Sequence, residues 1–201
     1  MAPSYCIELT PDEQAELLVI ARRSIQHGLT NQRPLVFEPS RFDGILAQEL
    51  GNFVTLTQDE MLRGCIGSIK TNLCLAQSVA INAFNAAFHD SRFSPLSSKE
   101  APQTRIEISV LTKPESINAS THDELLANLR PYEDGLLLND EGHQATFLPK
   151  VWEQLPDPQR FVAQLMVKAG RPGDYWSDSL QFHRYQVVSF AEHFADAAVP
   201  I

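Results

Sequence analysis

Several features that would narrow the function are missing from this chain. No apolar run approaches the roughly 18 residues that a membrane span requires, and the N-terminal segment has neither a basic nor an apolar leader region. The Lys and Arg residues form no run, so the basic footprint of a nucleic-acid-binding protein is absent. The formal net charge of −9 repels polyphosphate at long range. We therefore expect a cytoplasmic protein with no nucleic acid and no membrane among its partners.

The chain is also poor in cysteine. Cys6, Cys65 and Cys74 are an odd number and form no CxxC pair, which argues against a disulfide framework or a structural zinc site. No group of His, Cys, Asp or Glu has the spacing of metal ligands. We expect three reduced thiols and no metal, and the sequence identifies no cofactor.

What is present indicates an α+β fold. The 201 residues are 43% hydrophobic, enough for a core that removes about 70% of the extended-chain surface from water. Capping boxes at Thr10–Glu13 and Thr121–Glu124 predict two helix starts, and the first helix is predicted to end at 27–28. A second apolar stripe predicts a helix from Leu73, and Asp157 caps a further one that ends at Gly170.

Strand patterns are interspersed among these helices without strict alternation of strand and helix. This order is typical of α+β proteins with a largely antiparallel sheet and packed helices. Alternation and turn signals predict strands at 53–57 and 62–69 as a hairpin, at 104–112, at 136–138 and 145–148 as a second hairpin, and at 180–190.

One motif dominates the chain: Leu62-Arg63-Gly64-Cys65-Ile66-Gly67-Ser68. Glycine permits unusual backbone conformations and close approach of other groups, so the pair around Cys65 predicts a shaped turn or bulge that displays the thiol. The helix predicted from Leu73 would begin just beyond it. A helix N-terminus favours a thiolate, and so does a nearby arginine such as Arg63.

This motif resembles the hallmark of the AMMECR domain family, whose bacterial members are called AmmeMemoRadiSam system protein A. Further blocks resemble the family in order, at 88–93 with Pro95-Leu96, 106–111, 146–149 with Trp152, and 168–170. The resemblance spans about 9–192. It implies a single AMMECR-type domain over 1–201, or two unequal sub-lobes sharing one cleft. It also implies two partners, a Memo-type protein similar to class III extradiol dioxygenases and a radical S-adenosylmethionine protein.

Titratable groups inside these blocks are the candidates for chemistry. Cys65 is the candidate nucleophile, with Glu107 or Asp90 as its base. The candidate ligand-binding residues are Arg63, Gly64, Gly67, Ser68, Arg92, Ser109 and Lys168. None of the six histidines stands at a position that the family motifs specify, so a Cys-His pair is disfavoured.

Two functional interpretations of these residues remain open, beside a purely structural one. In the first, the chain is an enzyme or enzyme subunit that acts on a small polar substrate through Cys65. In the second, it is a non-catalytic adaptor for the two partners, and the motif shapes a docking or ligand groove. In a purely structural alternative, Cys65 is a small buried residue and Arg92 pairs with Asp90 or Glu107 only to lock a loop to the sheet.

Overall fold

The structure, a computed structural model, describes residues 7–194. They form four α-helices and eight β-strands, in the order α1 (Pro11–Asn31), β1 (Asn52–Gln58), β2 (Met61–Ser68), α2 (Leu75–Phe88), β3 (Arg105–Leu111), β4 (Glu115–Ile117), α3 (His122–Asn128), β5 (Gly135–Asp140), β6 (His143–Phe147), α4 (Pro158–Lys168), β7 (Gln181–Tyr185) and β8 (Val187–His193). Short 3-10 turns lie at Pro39–Arg41, Ala101–Gln103 and Pro149–Glu153. Among the described residues, no helix has both the length and the apolar character needed to cross a bilayer.

The chain divides into two compact units. The first, called the cysteine unit, comprises residues 8–111 and 188–194, and the second, called the tryptophan unit, comprises residues 112–187 with Ile7. Each contains one four-stranded sheet, in the orders β2-β1-β3-β8 and β4-β7-β5-β6. The pairings of β1 with β2 and β3, and of β7 with β4 and β5, are antiparallel. The predicted α+β class with antiparallel sheets is confirmed.

In the cysteine unit, α1 and α2 cover one face of the sheet. Val54, Leu56, Ile106 and Ile108 project from that face and are fully buried, and the sheet contacts both helices there. Small residues on α2 such as Ala83 allow the helix to lie close to the strands. The opposite face of this sheet carries Thr55 and Cys65.

In the tryptophan unit, α3, α4 and one sheet enclose a separate core. Trp152 is fully buried and stacks on Phe161, with ring centroids 3.7 Å apart. Its indole N–H donates a hydrogen bond to the carbonyl oxygen of Asp134. Aliphatic side chains from the helices and strands fill the rest of this core, including Leu125, Leu136 and Leu165.

Two element predictions need correction. Helix α1 continues past Gly28 to Asn31, because Gly28 is a packing position against the rings of Phe84 and Phe88 rather than a left-handed cap. The single last strand predicted over 180–190 is wrong, since the chain changes sheets there. At the change, the backbone of Gln186 exchanges hydrogen bonds with Thr112.

Candidate functional site

The Gly64-Cys65-Ile66-Gly67 motif lies within strand β2 and not in a turn. The turn of the β1–β2 hairpin is formed by Asp59 and Glu60, which both have positive φ. Next to it, Gln58 pairs with Met61 and Thr57 with Leu62, whereas Leu56 pairs with Gly64. The bulge therefore falls at Arg63, just before the first glycine. Of the two expected forms, the bulge is confirmed and the turn that displays the thiol is wrong.

The bulge decides which face of the sheet each motif residue occupies. One extra residue in β2 moves all following side chains to the opposite face. It places Gly64 on the face covered by α2, beside Leu56, and it places Cys65 opposite Thr55 on the other face. Cys65 is partly exposed as a result.

The two glycines of the motif permit close packing. A Cβ atom on Gly64 would lie 2.1 Å from the carbonyl oxygen of Ala86, in the last turn of α2. On Gly67 it would lie 2.4 Å from the Phe53 ring and 2.3 Å from the Asn52 carbonyl oxygen. Gly64 meets the C-terminal part of α2 on the face opposite Cys65, so the expectation that the N-terminus of α2 lies close to Cys65 is wrong.

Strand β2 lies at the edge of its sheet, and beside Cys65 the Asp90 carboxylate occupies the position of a further strand. The backbone N–H of Cys65 donates a 2.9 Å hydrogen bond to Oδ2 of Asp90, in the loop after α2. Nη2 of Arg92 donates to the backbone carbonyl of Cys65 at 3.4 Å. Both backbone groups of Cys65 that point away from β1 are thus paired, as a further strand would pair them.

Asp90 and Arg92 are fixed to each other. The buried Asp90 carboxylate accepts hydrogen bonds from the Arg92 side chain, from Nη2 at 2.6 Å and from Nε at 2.9 Å, and another from the Arg92 backbone N–H. The side-chain bonds from Arg92, joined by the Cys65 N–H, hold the pKa of Asp90 far below its usual value despite burial. The same pairing raises the pKa of Arg92. This carboxylate therefore stays ionised and is a poor proton acceptor.

The Arg92 guanidinium is held in place and is still open to ligands. Its side chain is 55% exposed. Its Nη1 donates to no residue in the described part of the cysteine unit. A guanidinium fixed on one edge and open on the other can form charge-assisted hydrogen bonds to a carboxylate or phosphate.

On the open face, Cys65 has a hydroxyl neighbour. Oγ1 of Thr55 lies 3.3 Å from the Cys65 sulfur. Thr55 on β1 lies between Cys65 on β2 and Glu107 on β3. The backbones of Glu107 and Cys65 are therefore two strand spacings apart, roughly 9–10 Å. The Glu107 carboxylate instead pairs with Arg105 at 3.2 Å. No histidine or carboxylate of the described part of this unit is hydrogen-bonded to the Cys65 sulfur.

Arg63 belongs to a neighbouring ion pair. Its Nε donates to Glu100 at 3.2 Å, and the ring of Phe93 lies near the guanidinium groups of both Arg63 and Arg92, 6.0 and 5.4 Å from their Cζ atoms. Hydrogen bonds from Ser97, followed by that from Arg63, lower the pKa of Glu100 to about 2. The sequence predicted Arg63 and Arg92 as ligand-binding residues but did not place an aromatic ring beside both.

The remaining predicted residues are dispersed. Ser68 is exposed at the end of β2, and the buried Ser109 shares a 2.8 Å hydrogen bond with Ser189 on β8. Lys168 belongs to the tryptophan unit, where its ammonium donates to the Thr146 carbonyl and lies over the ring of Phe147. Cys6 lies outside the described residues.

Sequence reasoning missed Thr55 as the partner of the thiol. An unbulged hairpin with the Asp59-Glu60 turn would pair Thr55 with Gly64 and direct Cys65 toward the helices. The glycine pair indicated a bulge but not its position, and its position before Gly64 determines the face on which Cys65 lies. Phe93 could have been found from its place between Arg92 and the following proline loop within a family block.

The structure defines an α+β protein whose edge-strand cysteine is clasped by an Asp-Arg pair. The chain belongs to the AMMECR1 family, whose profile matches residues 18–190. It is 34% identical over 197 residues to a protein of Thermofilum pendens, covering 92% of both chains. It is also 34% identical over 194 residues to a protein of Saccharolobus solfataricus, covering 92% of this chain and 84% of the relative.

A solved structure has the same fold. The crystal structure of an uncharacterized protein from Pyrococcus horikoshii superposes with a TM-score of 0.78 at 28% identity, covering 90% of this chain and 92% of the other. The resemblance read from the motif blocks is thereby confirmed as family membership. The family's biochemistry is not known.

Proposed function

We propose that the open sheet face around Cys65 binds a small polar ligand non-covalently, through an anionic group held by Arg92. The observation that carries this proposal is the clasp of Asp90, Arg92 and Cys65. It fixes a charged guanidinium beside the motif while 55% of that side chain is exposed. The exposed edge of the guanidinium holds its N–H donors in a fixed position, where they can bind an anionic group.

The same geometry argues against Cys65 as a nucleophile. A cysteine nucleophile commonly works with a base within hydrogen-bond reach, which takes the proton of the thiol. Asp90 is engaged by Arg92 and by the Cys65 backbone, and Glu107 is paired with Arg105. Thr55 supplies a hydroxyl, which is no base at neutral pH. We therefore assign Cys65 to the floor of a binding site.

Phosphate and succinate are suitable probes for this site. Titration of ¹⁵N-labelled protein with either anion is expected to shift the amide resonances of Cys65, Ile66 and Arg92 in a saturable manner. Arg92→Gln should abolish the shifts, whereas Cys65→Ser should retain them because the thiol makes no bond to the ligand. Arg41→Gln, which removes an exposed arginine elsewhere in the same unit, is the matched control and should bind normally. Unchanged binding in Arg92→Gln would refute the proposal.

A second candidate function is docking of a partner protein by the hairpin tip. Met61 is 70% exposed and Leu62 is 42% exposed, and adjacent exposed apolar side chains favour protein contacts. The AMMECR resemblance supports a Memo-type protein or a radical S-adenosylmethionine protein as the partner, within an AmmeMemoRadiSam-like system in the cytoplasm. Co-purification with either partner should be lost in a Met61→Ser/Leu62→Ser variant and retained in Cys65→Ser. Retention in the tip variant would exclude this surface.

A further inference from the structure

A cavity of about 590 Å³ lies in the cysteine unit at the ends of its two helices. Its lining comes from the last turn and C-cap of α1, the last two turns and C-cap of α2, and the loop that follows α2. The lining residues are Gly28, Leu29, Gln32, Phe84, Phe88, His89, Pro95, Leu96, Ser97 and Ser98. The volume is in the range of small-molecule sites. We call it the two-helix cavity.

The carboxyl ends of two helices face this space. Each helix end carries a partial negative charge from carbonyl groups without intrahelical partners. Helices commonly place Lys, Arg or His in the last turn to offset that charge, but neither α1 nor α2 has a basic residue there. None of the described residues that line the cavity is Lys, Arg, Asp or Glu. No Lys or Arg of the described lining offsets the two helix ends, and the imidazole of His89, the C-cap of α2, is part of the lining.

Aromatic rings form one wall of the cavity. Phe84 and Phe88 lie with centroids 5.0 Å apart, and the His89 ring meets Phe84 edge-on at 5.0 Å. A Cβ atom on Gly28 would lie 2.4 Å from Phe88 and 2.7 Å from Phe84, so glycine at this position lets both rings lie against α1. Aromatic faces attract cations through the ring quadrupole. At the rim, Ser97, Ser98 and Gln32 are exposed and offer oxygen acceptors.

We propose that the two-helix cavity binds a small organic cation, a free molecule with an ammonium group on a short apolar body. The helix ends and the aromatic wall both favour positive charge, and the cavity accommodates an apolar body as well. This site is distinct from the Cys65 face, since the two share no lining residue. It does not depend on the function proposed for that face.

Choline and its neutral isostere, in which a tert-butyl group replaces trimethylammonium, test the proposal as matched probes. In NMR titrations of the full chain up to roughly 10 mM, enough to occupy a weak site, choline should shift the Leu29, Phe88 and His89 amides. The isostere should bind at least about tenfold more weakly, because the charge supplies the affinity. Phe88→Leu should weaken choline binding roughly fivefold, and Phe37→Leu, a partly exposed ring outside the cavity, should not.

Two variants that change the charge at the edge of the cavity test whether charge contributes to choline binding. Gln32 is the exposed C-cap of α1, so a charge there acts on the cavity without disturbing the core. Gln32→Glu should strengthen choline binding and Gln32→Lys should weaken it, each by about twofold to fivefold. Equal affinity for choline and the isostere, or no response to either Gln32 change, would overturn the proposal, as would the absence of saturable shifts at these amides.

Discussion

Substitution of Gly64 by alanine tests the packing role of the motif glycines. The added Cβ atom would lie 2.1 Å from the Ala86 carbonyl oxygen and 3.0 Å from its carbon. The first contact must lengthen to at least 3.0 Å, a separation below which Cβ atoms are essentially never found. The obstacle is helix backbone rather than the end of a flexible side chain, so relief requires α2 to move relative to the sheet.

The expected cost follows from two opposing effects. Over-packing a well-packed site costs up to about 3 kcal/mol, and replacing a strand glycine returns about 0.5–1 kcal/mol of backbone entropy. We expect a net loss of about 2 kcal/mol in the free energy of unfolding, or roughly 4–8 °C in Tm for a chain of this size.

Urea unfolding followed by circular dichroism is the assay, with Gly173→Ala as the control. A Cβ atom on Gly173 would meet its nearest neighbour, Ala163 Cβ, at an ordinary 3.4 Å. That variant should be as stable as the parent chain. A Gly64→Ala chain as stable as the Gly173→Ala chain would refute the assignment of Gly64 to helix packing.

Three further outcomes are expected. Asp90→Asn should lower the free energy of unfolding by about 1–3 kcal/mol and accelerate hydrogen exchange at the Cys65 amide. Unchanged exchange would contradict the hydrogen bond from that amide to Asp90. The lowered pKa of Glu100, about 2 in the folded chain against roughly 4.3 unfolded, gives stability that is present above pH 4.3 and lost as pH falls toward 2. The difference in unfolding free energy between the parent chain and Glu100→Gln should therefore decrease as the pH falls from about 4.3 to about 2. A difference that does not change with pH would exclude this contribution of Glu100 to stability. Tyr185→Phe, which removes bonds to Thr146 Oγ1 at 2.6 Å and to the Phe147 carbonyl oxygen, should cost about 1 kcal/mol in urea unfolding, and a neutral result would show that the hydroxyl is not needed.

Most helices and strands could be predicted, because the signals for them involve residues that are close together in the sequence. The Thr10–Glu13 capping box forms as expected, with both reciprocal hydrogen bonds, and Asp157 caps α4 through its side chain. The N-terminal cap of α3 differs from a full capping box in one hydrogen bond. The Glu124 carboxylate accepts from the backbone N–H of Ser120 rather than from that of Thr121. Such boundary differences change no element.

The arrangement of the site could be predicted less well, because it depends on contacts between residues that are far apart in the sequence. The sequence named Cys65, Asp90 and Arg92 as neighbours of interest, and the structure brings these three together. The glycine pair indicated a bulge but not that it falls at Arg63, where it turns Cys65 away from α2. One inserted residue in β2 thus decides whether Cys65 lies beneath α2 or on the opposite face of the sheet.

A crystal structure with phosphate tests the central claim most directly. We expect tetrahedral density about 2.9 Å from Arg92 Nη1, with the Asp90–Arg92 pair intact, and no such density in crystals of Arg92→Gln. Density covalently continuous with the Cys65 sulfur, or phosphate bound only at other sites while Arg92 stays empty, would contradict the account.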